Sequence, residues 1–180
     1  MDYTEIALEL TDTEWPPTVP DHDRQIVRAI VFDADGMLYF VRVKRSDQFG
    51  CATLIETSGG GVEPNEDLER AIRRELKEEL GAEVDVLARI GVVSDYYNLI
   101  RRHNINNYYL CRLRAFGQKH LTQDEIECFH LSTLKLTYAD AVREYETHAD
   151  TPLGRLIAQR ELPILHRAKE LIDALQNSAT

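Results

Sequence analysis

The stretch GGVEPNEDLERAIRRELKEELGA, residues 60–82, decides how this 180-residue chain is read. Stepping about 100° per residue from Leu68, the side chains of Ala71, Ile72, Leu76 and Leu80 share one apolar arc with it. Arg70, Arg73, Arg74 and Lys77 gather on the opposite side. Glu75 and Glu79 do not join them: they fall within about 20° of Leu68, inside the apolar arc, with Glu78 at its edge. Like charges at these spacings cost about a few tenths of a kcal/mol per pair on an exposed helix, and more once the carboxylates lose hydration. A helix that accepts this cost is expected to present the three to a cation. Hard divalent ions take carboxylate oxygens and magnesium recruits substrate phosphates, whereas zinc would want His or Cys. Asn65 is the expected N-cap of this helix, Glu66 and Asp67 suit its positive end, and Gly81 is suited to close it in a left-handed conformation.

Working outward, Ser58-Gly59-Gly60-Gly61 forms a loop before the helix, where glycines let backbone amides or carbonyls approach a phosphate or metal. Upstream, Gln25 to Phe32 and Met37 to Lys44 read as strands joined by the tight turn Asp33-Ala34-Asp35-Gly36, and Cys51 to Thr57 as a third. Downstream, strands are expected at Glu83 to Val93, Ile105 to Arg114 and Ile126 to Leu131. Helices follow at Tyr138 to Glu146 and from about Leu153 to Gln176, the latter bent or interrupted at Pro163. Strands outnumber helices, which predicts an α/β chain with a mixed sheet clasped between helices. The organisation expected is an N-terminal arm over 1–22, a main domain over 23–150, and a C-terminal helix over 151–180 packed on the same domain.

Gly60, Glu66 six positions on, and then Arg74-Glu75-Leu76-Lys77-Glu78-Glu79-Leu80-Gly81 resemble the Nudix box, G-x5-E-x7-R-E-aliphatic-x-E-E-x-G-aliphatic. Ala82 is the one departure inside the box, where a larger aliphatic residue is usual, and Ser58 stands where many members have proline. The resemblance implies an α/β/α sandwich that hydrolyses a nucleoside diphosphate linked to another group. It implies that Glu75, Glu78 and Glu79 ligate magnesium, with manganese as a substitute and the Gly60 carbonyl as a further ligand, and that Glu66 and Arg74 form a structural ion pair. The metal would neutralise the diphosphate and activate water for attack on phosphorus. The catalytic base is left between a box carboxylate, such as Glu78 or Glu79, and the later acidic residues Glu125 and Glu127. Nucleotide sugars and non-standard nucleoside triphosphates both stay open as substrates. A silent nucleotide-binding module and an isomerase on the same fold are the rivals; all the box carboxylates are retained, which weighs against the first. A homodimer is a further expectation from the resemblance.

The remaining sequence narrows the classes. Net charge is −10, from 21 basic and 31 acidic residues, which argues against a nucleic-acid polymer as partner. No apolar run reaches the roughly 20 residues that span a bilayer. Cys51, Cys111 and Cys128 show neither zinc nor disulfide spacing, so a cytoplasmic protein with reduced thiols is expected, with Cys51 a small buried one. Arg42, Lys44 and Arg45 end a strand near the glycine loop. Arg101, Arg102 and His103 sit between Tyr96-Tyr97 and Tyr108-Tyr109. Both groups are candidates for phosphate or base contacts.

Overall fold

The sheet is organised around one turn. The Asp33 carboxylate accepts hydrogen bonds from the amides of Asp35 and Met37 and from the Tyr39 hydroxyl. This fixes a hairpin between β2 (His22–Phe32) and β3 (Leu38–Asp47). In the computed structural model, which describes residues 4–178, the other elements are β1 (Ile6–Leu10), β4 (Gly50–Glu56), β5 (Ser58–Gly61), α1 (Leu68–Glu79), β6 (Ala82–Tyr97), β7 (Arg102–Phe116), α2 (Gln123–Glu127), β8 (Ser132–Leu136), α3 (Tyr138–His148) and α4 (Pro152–Asn177). Residues 1–3 of the expected arm and 179–180 of the expected C-terminal helix lie outside the described residues.

The mixed sheet runs β1-β6-β7-β2-β3-β4, with β5 paired to β2 and β8 to β3. β2 is central because its apolar residues alternate to both faces, as a strand covered on both sides must. Val27, Ala29 and Val31 meet Ala71, Ile72 and Leu76 of α1 and Leu80 at its C-cap, while Ile30 and Phe32 meet α3 and α4. The hairpin pairs β2 with β3 only at its tip, through Val31–Tyr39 and Phe32–Leu38. Beyond it the strands splay: β3 continues with β4, and β5 takes its place beside β2. A cleft opens in the fork.

Several expectations are corrected. Ile6–Leu10, within the arm, forms an outer strand paired in parallel with β6; Ile6, Leu8 and Leu10 alternate onto the core. The ribbon Ser58–Gly61 is a strand rather than a loop. α1 is capped by Asp67, which accepts from the Arg70 amide at 2.9 Å, because Asn65 is held at φ 65°. Gly81 takes the expected left-handed conformation, at φ 68°. Ile126–Leu131 is not a strand: a capping box between Thr122 and Glu125 starts α2 instead, and the strand comes later as β8. α4 runs unbroken through Pro163, held by buried Ile157, Ile164, Leu165 and Ala168 on either side. Cys51 is exposed on β4 beside Ser46; Cys111 is the buried thiol, and desolvation pushes its pKa up to about 12. Among the described residues no helix is long and apolar enough to cross a membrane.

Candidate functional site

The cleft in the fork has a volume of about 600 Å³. Its floor joins β5 to the inner face of α1, where Glu75 and Glu79 are each only 8% exposed. The wheel position that looked anomalous in the sequence is therefore an actual burial. Glu79 points at the ribbon: its carboxylate accepts from Ser58 Oγ at 2.5 Å and from the Gly59 amide at 2.9 Å. Burial pushes the Glu79 pKa up to about 7; those two hydrogen bonds pull against it, and the charges of Glu75 and Glu125 add to it. Glu75 is also raised, first by desolvation, although Arg74 opposes the shift.

Arg74 is the hub of the floor. It donates to both carboxylate oxygens of Glu66 at 3.0 and 2.9 Å, to Glu75 at 2.7 Å, to Glu78 at 3.1 Å and to the Gly61 carbonyl at 3.0 Å. The ribbon and α1 are thus tied by one guanidinium whose fork suits several acceptors at once. Among the described residues no three His, Cys, Asp or Glu side chains converge tightly enough to enclose an ion as they stand. Glu75 and Glu78 lean on Arg74, and Glu79 on the ribbon.

The donor set nevertheless fits a hard divalent cation. Three carboxylates stand on adjacent turns, and the two buried ones have raised pKa values. The backbone has also been kept clear for them. A Cβ on Gly60 would sit 2.5 Å from a Glu75 carboxylate oxygen.

The neighbouring glycine answers a different need. Gly59 has φ 149°, and a Cβ there would drive into the Val27 carbonyl and sit 2.8 Å from Arg28 Cα. Gly59→Ala therefore collides with backbone and is expected to cost about 2–4 kcal/mol of stability. Gly60→Ala meets only the movable end of Glu75, so it is expected to cost less than about 1 kcal/mol but to impair activity severely. Thermal melts of the two variants beside an activity assay test this; equal losses of stability would contradict it.

Glu125 lines the cleft from α2, with one carboxylate oxygen accepting from the Thr122 amide at 2.7 Å. Arg45 and Arg102 also line it. Other candidates do not. β3 alternates, so Val41, Val43 and Arg45 face the cleft while Arg42 and Lys44 face away. Arg101 is exposed, in a left-handed turn, and pairs with Asp21. His103 lies on the other face of the sheet from the cleft-lining Arg102, bonded to Ser94 and Asp23 and stacked on Tyr96. Glu127 accepts from Gln123 instead.

Sequence reading missed Arg24, Arg28, Glu56 and Arg160, all of which line the cleft. Arg28 carries no local signal, since it is an isolated charge in an apolar run, and Arg160 shows only its neighbour Glu161, while its other partners, Asp95 and Glu56, are far along the chain.

Comparison with known proteins agrees with this fold. A family model described as NUDIX domain matches residues 22–150. A CTP pyrophosphohydrolase of Escherichia coli is 44% identical over 62 residues, 34% of this chain, and the match spans only 44% of that protein's length. A NUDIX hydrolase structure from Nitrosomonas europaea superposes with a TM-score of 0.59 at 16% identity, covering 77% of this chain and 87% of that one. A MutT protein structure from Methanosarcina mazei gives 0.57 at 16% identity, covering 86% and 97%. At such identities the structures speak to the fold alone, whereas the family model spans well over half of the sequence. The chain belongs to the Nudix family of hydrolases.

Proposed function

We propose that this chain is a divalent-cation-dependent pyrophosphohydrolase that cleaves the diphosphate linkage of a nucleoside diphosphate derivative. The observation that carries the reading is the pair of buried, incompletely neutralised carboxylates, Glu75 and Glu79, facing a glycine ribbon in a cleft rimmed with arginine. Glu75, Glu78 and Glu79, with the Gly60 carbonyl, would hold magnesium or, in its place, manganese. That ion supplies charge neutralisation for the diphosphate and makes a water acidic enough to attack phosphorus near neutral pH. Arg74, through Glu66 and the Gly61 carbonyl, holds the ribbon at a fixed distance from α1, so the carboxylates and the ribbon act as one surface. Glu125 takes the proton of the attacking water on its cleft side, while its bond to the Thr122 amide fixes its direction. The partial relative acts on CTP by its name, which places a pyrimidine nucleotide among the first substrates to try.

The test is a panel of nucleoside triphosphates including CTP, nucleotide sugars and dinucleotides, run with magnesium in heavy-oxygen water. The expected result is a nucleoside monophosphate with pyrophosphate, or two phosphate-bearing fragments, with label on a phosphate only. Label on a sugar carbon would mean attack elsewhere. No turnover of any diphosphate, with nucleotide binding intact, would instead favour a silent binding module.

A further inference from the structure

Six arginines line the cleft, and four of them are committed to carboxylates. Arg28 pairs with Glu56 at 3.3 Å and donates to the Thr57 carbonyl and to Asn106. Arg45 holds Asp47, Arg74 is the hub described above, and Arg160 binds Glu56, Asp95 and Glu161. Arg24 and Arg102 differ. Neither side chain makes a hydrogen bond or an ion pair with any described residue.

The two are also placed together. β2 and β7 run in parallel with His22 opposite Arg102 and Arg24 opposite Asn104, so both arginines stand on adjacent strands and turn to the same cleft. Their charges act on each other: desolvation, then Arg102 and Arg28, hold the Arg24 guanidinium below its usual range, with Glu75 opposing. Arg24 lies against the ribbon, since a Cβ on Gly61 would sit 3.1 Å from its Nη2. Repelling guanidinium groups, brought into one concavity by strand backbone and paired with no carboxylate, are arranged for an oxyanion; the fork geometry of arginine matches phosphate. Along the ribbon Glu75 lies against Gly60 and Arg24 against Gly61, so the arginine wall adjoins the box carboxylates without pairing with them.

Resting on the pyrophosphohydrolase reading, we propose that Arg24 and Arg102 seat a phosphate adjacent to the scissile linkage. The enzyme then selects substrates with three consecutive phosphates, nucleoside triphosphates, over nucleotide sugars, whose diphosphate ends in a neutral group with nothing to place on that wall.

Arg24→Gln, Arg102→Gln and the double variant, assayed with CTP and with UDP-glucose at one magnesium concentration, test the selection. Each lost guanidinium should lower kcat/KM for CTP about 10- to 150-fold, the range of a charge-assisted hydrogen bond. UDP-glucose, followed by turnover or by its inhibition constant, should change by less than about threefold. Lysine at either position should restore part of the loss, since it keeps the charge without the fork. Melting temperatures should stay within about 2 °C of wild type, because neither side chain has a partner to lose. Equal losses on both substrates, or none on CTP, overturn the seat. Calorimetry with inorganic tripolyphosphate, without metal, separates this idea from the reading it rests on. The wild type should bind it at least about tenfold more tightly than the double variant; equal binding, or no wild-type binding, overturns the seat even in an active enzyme. Arginine-dependent binding in a protein that hydrolyses none of the panel would leave the seat standing and reject the pyrophosphohydrolase.

Discussion

Glu79→Gln is expected to cost activity and to raise stability at once. On the activity side, the carboxylate belongs to the set proposed to hold the metal, and losing one such group should lower kcat/KM about 10²–10³-fold, or about 3–4 kcal/mol of transition-state stabilisation. Replacing Glu78 as well should reduce turnover to background. On the stability side, the sign follows from the raised pKa. A carboxyl that titrates at about 7 when folded but at about 4.5 when unfolded binds its proton more tightly in the folded state. Folding is therefore most favourable below pH 4.5, where the group is protonated in both states. Stability falls as pH rises from 4.5 through 7, and the full penalty persists above. The gap corresponds to at most about 3 kcal/mol. Glutamine carries no charge, and its amide oxygen can still accept from Ser58 and Gly59, which share one carboxylate oxygen, but those bonds lose their charge assistance, so a net gain of about 1 kcal/mol is expected for the chelated protein at pH 8, vanishing near pH 4.5. Millimolar magnesium should stabilise wild type more than the variant, by mass action on the folded state. Melts of both proteins in chelator and in magnesium, at the two pH values, decide it. Coincident curves at pH 8 would mean that Glu79 is as well hydrated as a surface carboxylate.

This outcome was legible in the sequence because a helix repeats within four residues: once α1 is drawn, Glu75 and Glu79 have nowhere to go but under the apolar face. The same local logic places β2, β3 and the turn at Asp33. It was also available for β1, where Glu5-Ile6-Ala7-Leu8-Glu9-Leu10 alternates, and for α2, where Thr122-Gln123-Asp124-Glu125 spells a capping box; the acidic tone of the first and the apolar run after the second obscured both. Choosing between Asn65 and Asp67 as cap needed the backbone, since both residue types cap well and only one escapes the left-handed turn. Arg42 and Lys44 fell to parity: strand assignment fixed that alternate residues share a face, but not which face borders the cleft. Arg24 and Arg160 belong to a further category. Their meaning lies largely in what stands far along the chain: Glu56 and Asp95 for Arg160, and the lack of any side-chain partner for Arg24.

Arg160 shows how much such a residue can carry. It is 1% exposed, on α4, beside Glu161 at 0% and across from Asp95 at 4%. It donates to Glu161, Asp95, Glu56 and the Tyr97 hydroxyl. Glu161 in turn accepts from Thr57 Oγ1 and the Tyr108 hydroxyl. Burial pushes the Glu56 pKa up, yet Arg28 and Arg160 outweigh it and hold the carboxyl below its ordinary range. Arg160→Met keeps most of the volume but leaves Glu161 and Asp95 without their cation. Breaking a buried pair from one side typically costs about 3–5 kcal/mol, which for a chain of this size is a fall in melting temperature of about 6–20 °C. The loss is mainly uncompensated charge, so Arg160→Met with Glu161→Gln should recover more than about 1 kcal/mol of it, a coupling within the range for residues in contact. A single variant within about 1 kcal/mol of wild type would show that water or rearrangement neutralises the site. The network reaches function through Thr57, which is bonded to Glu161 by its hydroxyl and to Arg28 by its carbonyl and stands immediately before Ser58 and the ribbon. α4, which lies beyond the residues matched by the family model, thus fixes the position from which the ribbon meets Glu79. Glu161→Gln alone keeps an acceptor for Thr57, so it should perturb kcat less than Thr57→Val, which removes the hydroxyl and frees the ribbon's first residue.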